Sequence, residues 1–376
     1  MSVMKKTNKD ISIFDCSRND ISLPSINKLF LSGRISSGKY NARFEDELQS
    51  KLGKKNICTV SDLSSALYLI FKSINIQSRD EIICTSFNCL SSTSPINEIG
   101  ARVVFADLED ETPFVSVGDC VQKISNRTKA IIIYHLAGYP TNLDKLINIC
   151  KERNILLIED ANNSFGASFK DSPVGTLADF SVFSFYPNRQ VSATNGAAIY
   201  SKSSAHYSKI LKLRKHGIKE NFRLLNGEIN PHSNVDQLSL NYSMSNLDAY
   251  LALTSLKSFD KRKKKILRNA NFYHKELKKI QNIKMPTLTS GSEGMYWGFM
   301  ILADNSSELL SYLKLQGIGA TKFHYPNHKY TAFRSQKLSL QNTDNFHTKV
   351  IFLPCGWWIG TDELRFIVKM IKNFYE

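Results

Sequence analysis

The chain has 376 residues, 42% hydrophobic and 22% charged, a balance that supports a sizeable core and excludes an intrinsically disordered protein. No run of 18 apolar residues occurs, and the lysine-bearing start MSVMKKTNKDISIFD has no apolar segment behind it. Neither a membrane span nor a secretory signal is therefore expected, and the cytoplasm is the expected location. The seven cysteines are odd in number and scattered without CxxC or zinc spacing, so they read as reduced thiols rather than a disulfide framework or metal ligands.

A formal net charge of +15 raises three kinds of partner: nucleic acid, an acidic membrane surface, or a phosphate-bearing small molecule. The densest cluster, Lys261-Arg262-Lys263-Lys264-Lys265, is interleaved with Leu256, Phe259, Ile266 and Leu267 at helical spacing and reads as the solvated face of a helix. No recognised nucleic-acid motif accompanies it, so no nucleic-acid partner is expected.

In chain order, Phe44–Leu52 and Leu63–Ile74 read as helices. Glu81–Cys84, Arg102–Ala106, Ala130–Tyr134, Leu156–Ile158, Phe180–Phe185 and Ala197–Tyr200 read as strands. Near-continuous apolar strands such as AIIIY and ILLI predict a mainly parallel central sheet covered on both faces, hence an α/β fold. The Asn-, Gly- and Pro-containing segment Gly217–Ser239 is the expected mobile loop. Beyond about 242 the pattern changes to one long helix running to about 280. A strand near Tyr296–Leu302 and helices Ser306–Gln316 and Thr361–Phe374 follow. The expected division is residues 1–240, a large α/β domain, and 241–376, the long helix with a smaller α+β C-terminal domain.

The stretch Ile158–Tyr200 contains Asp160 at a strand end, the strand Phe183-Ser184-Phe185, and Arg189 shortly after it. It resembles the central segment of the DegT/DnrJ/StrS-type sugar aminotransferases. The same order of elements continues in SGRISSGKYNARFEDELQSKLG, in His135-Leu136-Ala137-Gly138-Tyr139-Pro140, in Asn241-Tyr242-Ser243-Met244-Ser245-Asn246, in His324-Tyr325-Pro326 and in Leu353-Pro354. The resemblance implies a fold-type I aminotransferase-like architecture, a homodimer with sites at the subunit interface, and a nucleotide-sugar substrate in surface-polysaccharide, lipopolysaccharide or deoxysugar synthesis. It also implies pyridoxal phosphate as cofactor.

By that resemblance Asp160 faces the pyridine nitrogen, although a strand-end carboxylate also caps turns. Leu63 and Ser64, in Ser61-Asp62-Leu63-Ser64, stand in the phosphate cup together with Ser184 and Asn241, and Asp62 adds a negative charge beside it. Cys89 takes the place of a stacking ring, and Asn163 lies on the other face of the pyridine. Ser243 and Gly298 replace a familiar Arg and His. Arg189 falls on the position of the lysine that holds the cofactor as an imine. A guanidinium stays protonated and does not condense with an aldehyde. Lys170 and Lys202, the nearest lysines in sequence, are not expected to reach the site.

Three functions compete at this stage. The first is a non-transaminating enzyme on an anionic, nucleotide-linked sugar, with pyridoxal or pyridoxamine phosphate at most non-covalently held. Arg189 would then clamp an anion or stabilise an oxyanion, while His135, His324, Tyr186 or Cys89 moves protons. The resemblance includes a branch of sugar 3-dehydratases that carry His in place of the lysine. The second is a catalytically silent binding or scaffolding homologue, and the third a pyridoxal-phosphate-dependent sugar aminotransferase, either native or with its lysine changed to Arg189.

Overall fold

The computed structural model describes residues 10–16, 21–219, 222–333 and 338–376. Residues 1–9 of the start and residues 220–221 of the expected mobile loop lie outside the described residues.

The first helices are α1 (Leu23–Leu31) and α2 (Lys39–Leu52). In α2 the spacing of Phe44, Leu48 and Leu52 lines one buried stripe, each side chain contributing about 1.5–3 kcal/mol on burial. Gly53, at φ 63°, ends it in the left-handed region that a β-carbon disfavours. The helix begins ahead of the expected Phe44. β1 (Ile57–Val60) escapes sequence reading because four buried residues are too few to display alternation.

Strands and helices then alternate: α3 (Leu63–Ser73), β2 (Glu81–Thr85), α4 (Leu90–Glu98), β3 (Arg102–Ala106), α5 (Val117–Lys123), β4 (Thr128–Tyr134), α6 (Asp144–Glu152) and β5 (Leu156–Asp160). A short ribbon of β6 (Ser168–Phe169) and β7 (Ser172–Pro173) precedes β8 (Phe180–Ser184), β9 (Ala197–Ser201) and α7 (Ser204–Leu213). The central sheet has the order β1-β9-β8-β5-β4-β2-β3. β9 runs antiparallel to both neighbours and every other neighbouring pair is parallel, as expected. Successive side chains face opposite sides. Cys84, Ile132, Ile158 and Val182 pack with α3, whereas Ile83, Ile131, Ile133 and Leu157 pack with Cys120 of α5 and with Leu146 and Cys150 of α6.

The expected long helix beyond 242 is in fact two, α8 (Asn246–Lys257) and α9 (Phe259–Leu277), divided at Ser258. The break follows from burial. α8 is buried on nearly all sides and packs on α2, whereas α9 buries one stripe that starts with Phe259 against Phe165, ring centroids 5.1 Å apart. The basic cluster on α9 is only partly a solvated face. Arg262 is buried, donating to Ser255 Oγ (2.7 Å) and lying 4.7 Å from the Trp357 ring.

β10 (Ser292–Glu293) adds to the ribbon through β6. β11 (Phe299–Leu302), α10 (Ser306–Leu315), α11 (Gln341–Lys349), β12 (Val350–Leu353) and α12 (Thr361–Tyr375) follow, with β11 and β12 paired antiparallel. Asp107, just past β3, holds the start of α11. Its Oδ1 accepts from Thr343 N (2.7 Å), Thr343 Oγ1 (2.6 Å) and Leu108 N (2.9 Å), and its Oδ2 from Asn342 N (3.1 Å). This is helix N-capping supplied from a distant loop. Asp107→Ala should lower unfolding free energy by about 1–2 kcal/mol in urea titration, the scale of a lost cap. An unchanged midpoint would show that α11 docks without it.

Candidate functional site

β4, β5 and β8 are neighbours, with Tyr134 in register with Asp160 and Asp160 with Val182. Ligands of such sheets bind beyond the carboxyl ends of the strands. Glu159 and Asp160 close β5 on opposite faces.

Glu159 is fully buried and accepts from His135 Nε2 (3.1 Å), Gly175 N (2.8 Å), Leu177 N (2.8 Å) and Ala178 N (2.9 Å). Burial alone would raise its carboxyl, but the imidazole and the amides together hold it below the usual range. Thr141 N donates to His135 Nδ1 (3.0 Å), so the imidazole proton sits on Nε2 and points at Glu159. His135, a candidate for proton transfer, is thus occupied on the other face from Asp160.

Asp160 accepts from Ser92 Oγ (2.6 Å) and from Asn162 N (3.2 Å) and Nδ2 (2.9 Å). Burial pushes its carboxyl up against these hydrogen bonds. Asn162 also reaches Arg189: its carbonyl oxygen accepts from Nε (3.0 Å) and its Oδ1 from Nη2 (3.1 Å). Arg189 Nη1 donates to Asn188 Oδ1 (2.5 Å), and the guanidinium lies 4.5 Å from the Trp297 ring. Burial lowers the guanidinium's pKa, but an arginine remains charged. Trp297 is itself placed by backbone pairing, with Trp297 N donating to Ala137 O (2.9 Å) and Met295 N to Gly138 O (2.9 Å). Gly138, at φ 88°, permits that approach, because a β-carbon there would meet Met295 O at 2.2 Å.

The third group is Tyr134, Asn163 and His324. Asn163 Nδ2 donates to Tyr134 OH (2.6 Å), which lies 3.2 Å from His324 Nε2. Burial, reinforced by the Arg189 cation, pushes His324 down from its usual 6.5 to about 3. Burial also raises the Tyr134 phenol, so both are uncharged at neutral pH.

Cys89 caps α4. Its Sγ accepts from Ser91 Oγ (3.1 Å) and lies 3.1 Å from Ser92 Oγ, and burial raises its pKa. Ser64 Oγ, in the first turn of α3, donates to Ser91 O (3.1 Å). Asp62 caps α3, accepting from Ser65 N (2.8 Å), Ser65 Oγ (2.6 Å) and Ser61 Oγ (2.9 Å). Leu63 is buried beside it. Ser184 is buried at the end of β8, its Oγ accepting from Tyr186 N (3.3 Å). Tyr186 is exposed, as is Asn241, whose Oδ1 accepts from Ser243 N (3.1 Å). Lys170 pairs with Asp144 at the surface (2.7 Å) and Lys202 is exposed beyond β9. None of the side-chain hydrogen bonds of Asp160, Tyr134, Asn163 or His324 involves a lysine among the described residues.

Arg189, Asp160, Cys89, Asn163 and His324 therefore share one neighbourhood. Sequence reasoning missed Ser92, Tyr134, Asn162 and Trp297 as members of this group. The position of Tyr134 at the end of its apolar strand was the available signal for a residue beside Asp160.

The His324 shift sets a pH dependence. Below 6.5 the unfolded chain takes up a proton that folded His324 refuses until about 3, so this residue's contribution to stability falls as pH drops through that window. His324→Gln should flatten the acid limb of the stability curve between those values in urea titrations. Parallel curves for the two proteins would remove His324 as its source.

A model of the DegT/DnrJ/EryC1/StrS aminotransferase family matches residues 18–372. GDP-perosamine synthase of Vibrio cholerae is 30% identical over 358 residues, 93% of this chain and 95% of that protein. UDP-4-amino-4,6-dideoxy-N-acetyl-beta-L-altrosamine transaminase of Campylobacter jejuni is 27% identical, with 91% of each chain covered. Among solved structures, AtS13 from Actinomadura melliaura superposes with a TM-score of 0.92 at 24% identity, over 98% of this chain and 99% of that one, and so shares the fold. No helix among the described residues is long and apolar enough to cross a membrane. The chain belongs to the DegT/DnrJ/EryC1/StrS family of sugar aminotransferases.

Proposed function

We propose that the protein is a non-transaminating member of this family that handles an anionic, nucleotide-linked sugar. The observation that carries the reading is Arg189, whose guanidinium is tied to Asn162 and lies over the Trp297 ring in the neighbourhood of Asp160. In this reading it holds an anionic group or a developing oxyanion. The uncharged Tyr134–His324 pair exchanges protons there, and His135 serves the fold.

Pyridoxal phosphate, the cofactor the family implies, makes three demands on these residues, and they meet one. Asp160 suits a pyridinium, since a buried carboxylate with a raised pKa gains from a cation. Arg189 does not suit an imine. At the α3 terminus the Asp62 carboxylate sits beside the amides that a phosphate would use, and the Ser64 hydroxyl is turned to Ser91. We therefore assign no step to the cofactor and take any bound pyridoxal or pyridoxamine phosphate as non-covalent.

The family resemblance and the exposed Leu31, Leu225, Leu238 and Leu240 support a homodimer with interfacial sites, to which Asn241 would contribute from its exposed position. A division near residue 240 into two domains belongs to the same reading.

Incubation with pyridoxal phosphate, borohydride reduction and intact-mass measurement test it. Wild-type protein should retain no covalent cofactor after dialysis, Arg189→Lys a little, and Arg189→Lys combined with Asp62→Asn more. A stoichiometric adduct on any wild-type lysine would sink the proposal.

A further inference from the structure

We infer that the exposed face of α9 is a docking surface for a bilayer rich in anionic lipid, so that the protein associates peripherally with such a membrane through charge. The inference is independent of the function proposed above and takes up the basic cluster which that function leaves unexplained.

Helix geometry carries it. At 3.6 residues per turn, the buried Phe259, Ile266, Ala270, Tyr273 and Leu277 fall on one stripe that packs into the protein. On the opposite side Lys261, Lys264, Lys265, Arg268 and Lys275, each of them exposed, share an arc of about 100°. From Lys261 to Lys275 the arc runs about 21 Å along the helix.

No acid neutralises this face. The two carboxylates of α9 flank it and are engaged with other bases, Asp260 with Lys51 (2.6 Å) and Glu276 with Lys279 (3.0 Å) and Lys372 (3.4 Å). Glu293 of the neighbouring ribbon pairs with Lys263, outside the arc (2.5 Å). Arg268 donates to Asn269 Oδ1 (2.9 Å) and Ile359 O (3.3 Å), neither of them charged. No ion pair joins any residue of the arc to a carboxylate among the described residues. α12, packed alongside, carries Arg365, Lys369 and Lys372 against Asp362 and Glu363, so it does not reverse the sign.

The make-up of the face selects lipid among polyanions. Four of its five bases are lysines, compact charges on flexible stems that adapt to mobile headgroups. One arginine and one half-buried ring, Phe272, are all it offers of the planar forks and stacking platforms that grip nucleic acid. A helix ridge is convex and meets a flat surface along its length, without a groove for a strand or a peptide. Clusters of four to eight Lys or Arg on one helix face are the pattern that anionic leaflets attract. Because the apolar stripe of α9 is turned into the protein, the contact is electrostatic and involves no insertion. The formal net charge of +15 adds long-range attraction in the same direction.

Cosedimentation of the full chain with vesicles tests the inference. The protein should pellet with phosphatidylcholine vesicles containing about one third phosphatidylglycerol and stay in solution with phosphatidylcholine alone. Raising the salt from about 0.1 M to about 1 M, which shortens the Debye length from about 10 Å to about 3 Å, should release it. Lys261→Glu combined with Lys265→Glu should weaken binding at least about tenfold, and Lys145→Glu combined with Lys202→Glu, the same change of net charge on exposed lysines elsewhere, less than about threefold. All four positions are exposed, so the variants keep the core intact, and the wild-type salt response is a measurement that needs no variant. The inference is overturned by no binding to the charged vesicles, by equal binding to both vesicle types, by binding that ignores salt, or by equal losses in the two double variants. Tighter binding to a short DNA duplex than to the charged vesicles would overturn it as well.

Discussion

Two adjacent carboxylates at the end of one strand organise this protein, and they do so because neighbouring strand residues must face opposite sides of a sheet. Glu159 points to one side, where it gathers the Gly175–Ala178 amides and His135. Asp160 points to the other, where it gathers Ser92 and Asn162. The first acid closes the loops around the sheet, and the second anchors the candidate site. A slip of one residue in β5 would exchange the two environments, so the strand's register and the site are a single constraint.

From Asp160 the connection runs through one amide. Asn162 donates to the acid and accepts from Arg189, so it keeps the negative and positive groups in a defined relation without letting them form an ion pair. The guanidinium keeps its three hydrogen bonds to Asn162 and Asn188 and makes no direct ion pair with a carboxylate among the described residues. A direct Asp–Arg bridge would have satisfied both groups and left little reason to bind anything. In the reading proposed above, this arrangement leaves Arg189 available to an anionic group.

The far side of the candidate site comes from the second half of the chain. Trp297 and His324 arrive on segments more than a hundred residues away from Arg189, and each is held by backbone geometry. Gly138 lets the Met295–Trp297 segment approach, while the Phe323 ring fills the space beside Gly298, within 2.8 Å of where a β-carbon would stand. The Phe14, Trp297 and Phe323 rings stack together, 4.4 and 4.3 Å from Trp297, so the surface beneath Arg189 is rigid.

Much of the architecture was legible in the chain alone. Apolar runs such as Ala130–Tyr134 announced a doubly covered parallel sheet, and the Ile158–Tyr200 segment with its companions announced the family, because local composition and motif order are properties of sequence. The four-residue strand Ile57–Val60 and the break at Ser258 were not legible, since the first is too short for periodicity and the second arises from two packing partners. The site divided in the same way. Asp160 and Arg189 were identifiable by position, whereas the fate of His135, the bridging amide of Asn162, and the meeting of Tyr134 with His324 depend on strand parity and on contacts between distant segments. Such contacts carry no local pattern, so only the folded chain decides which polar groups share a pocket and which are taken up in holding it together.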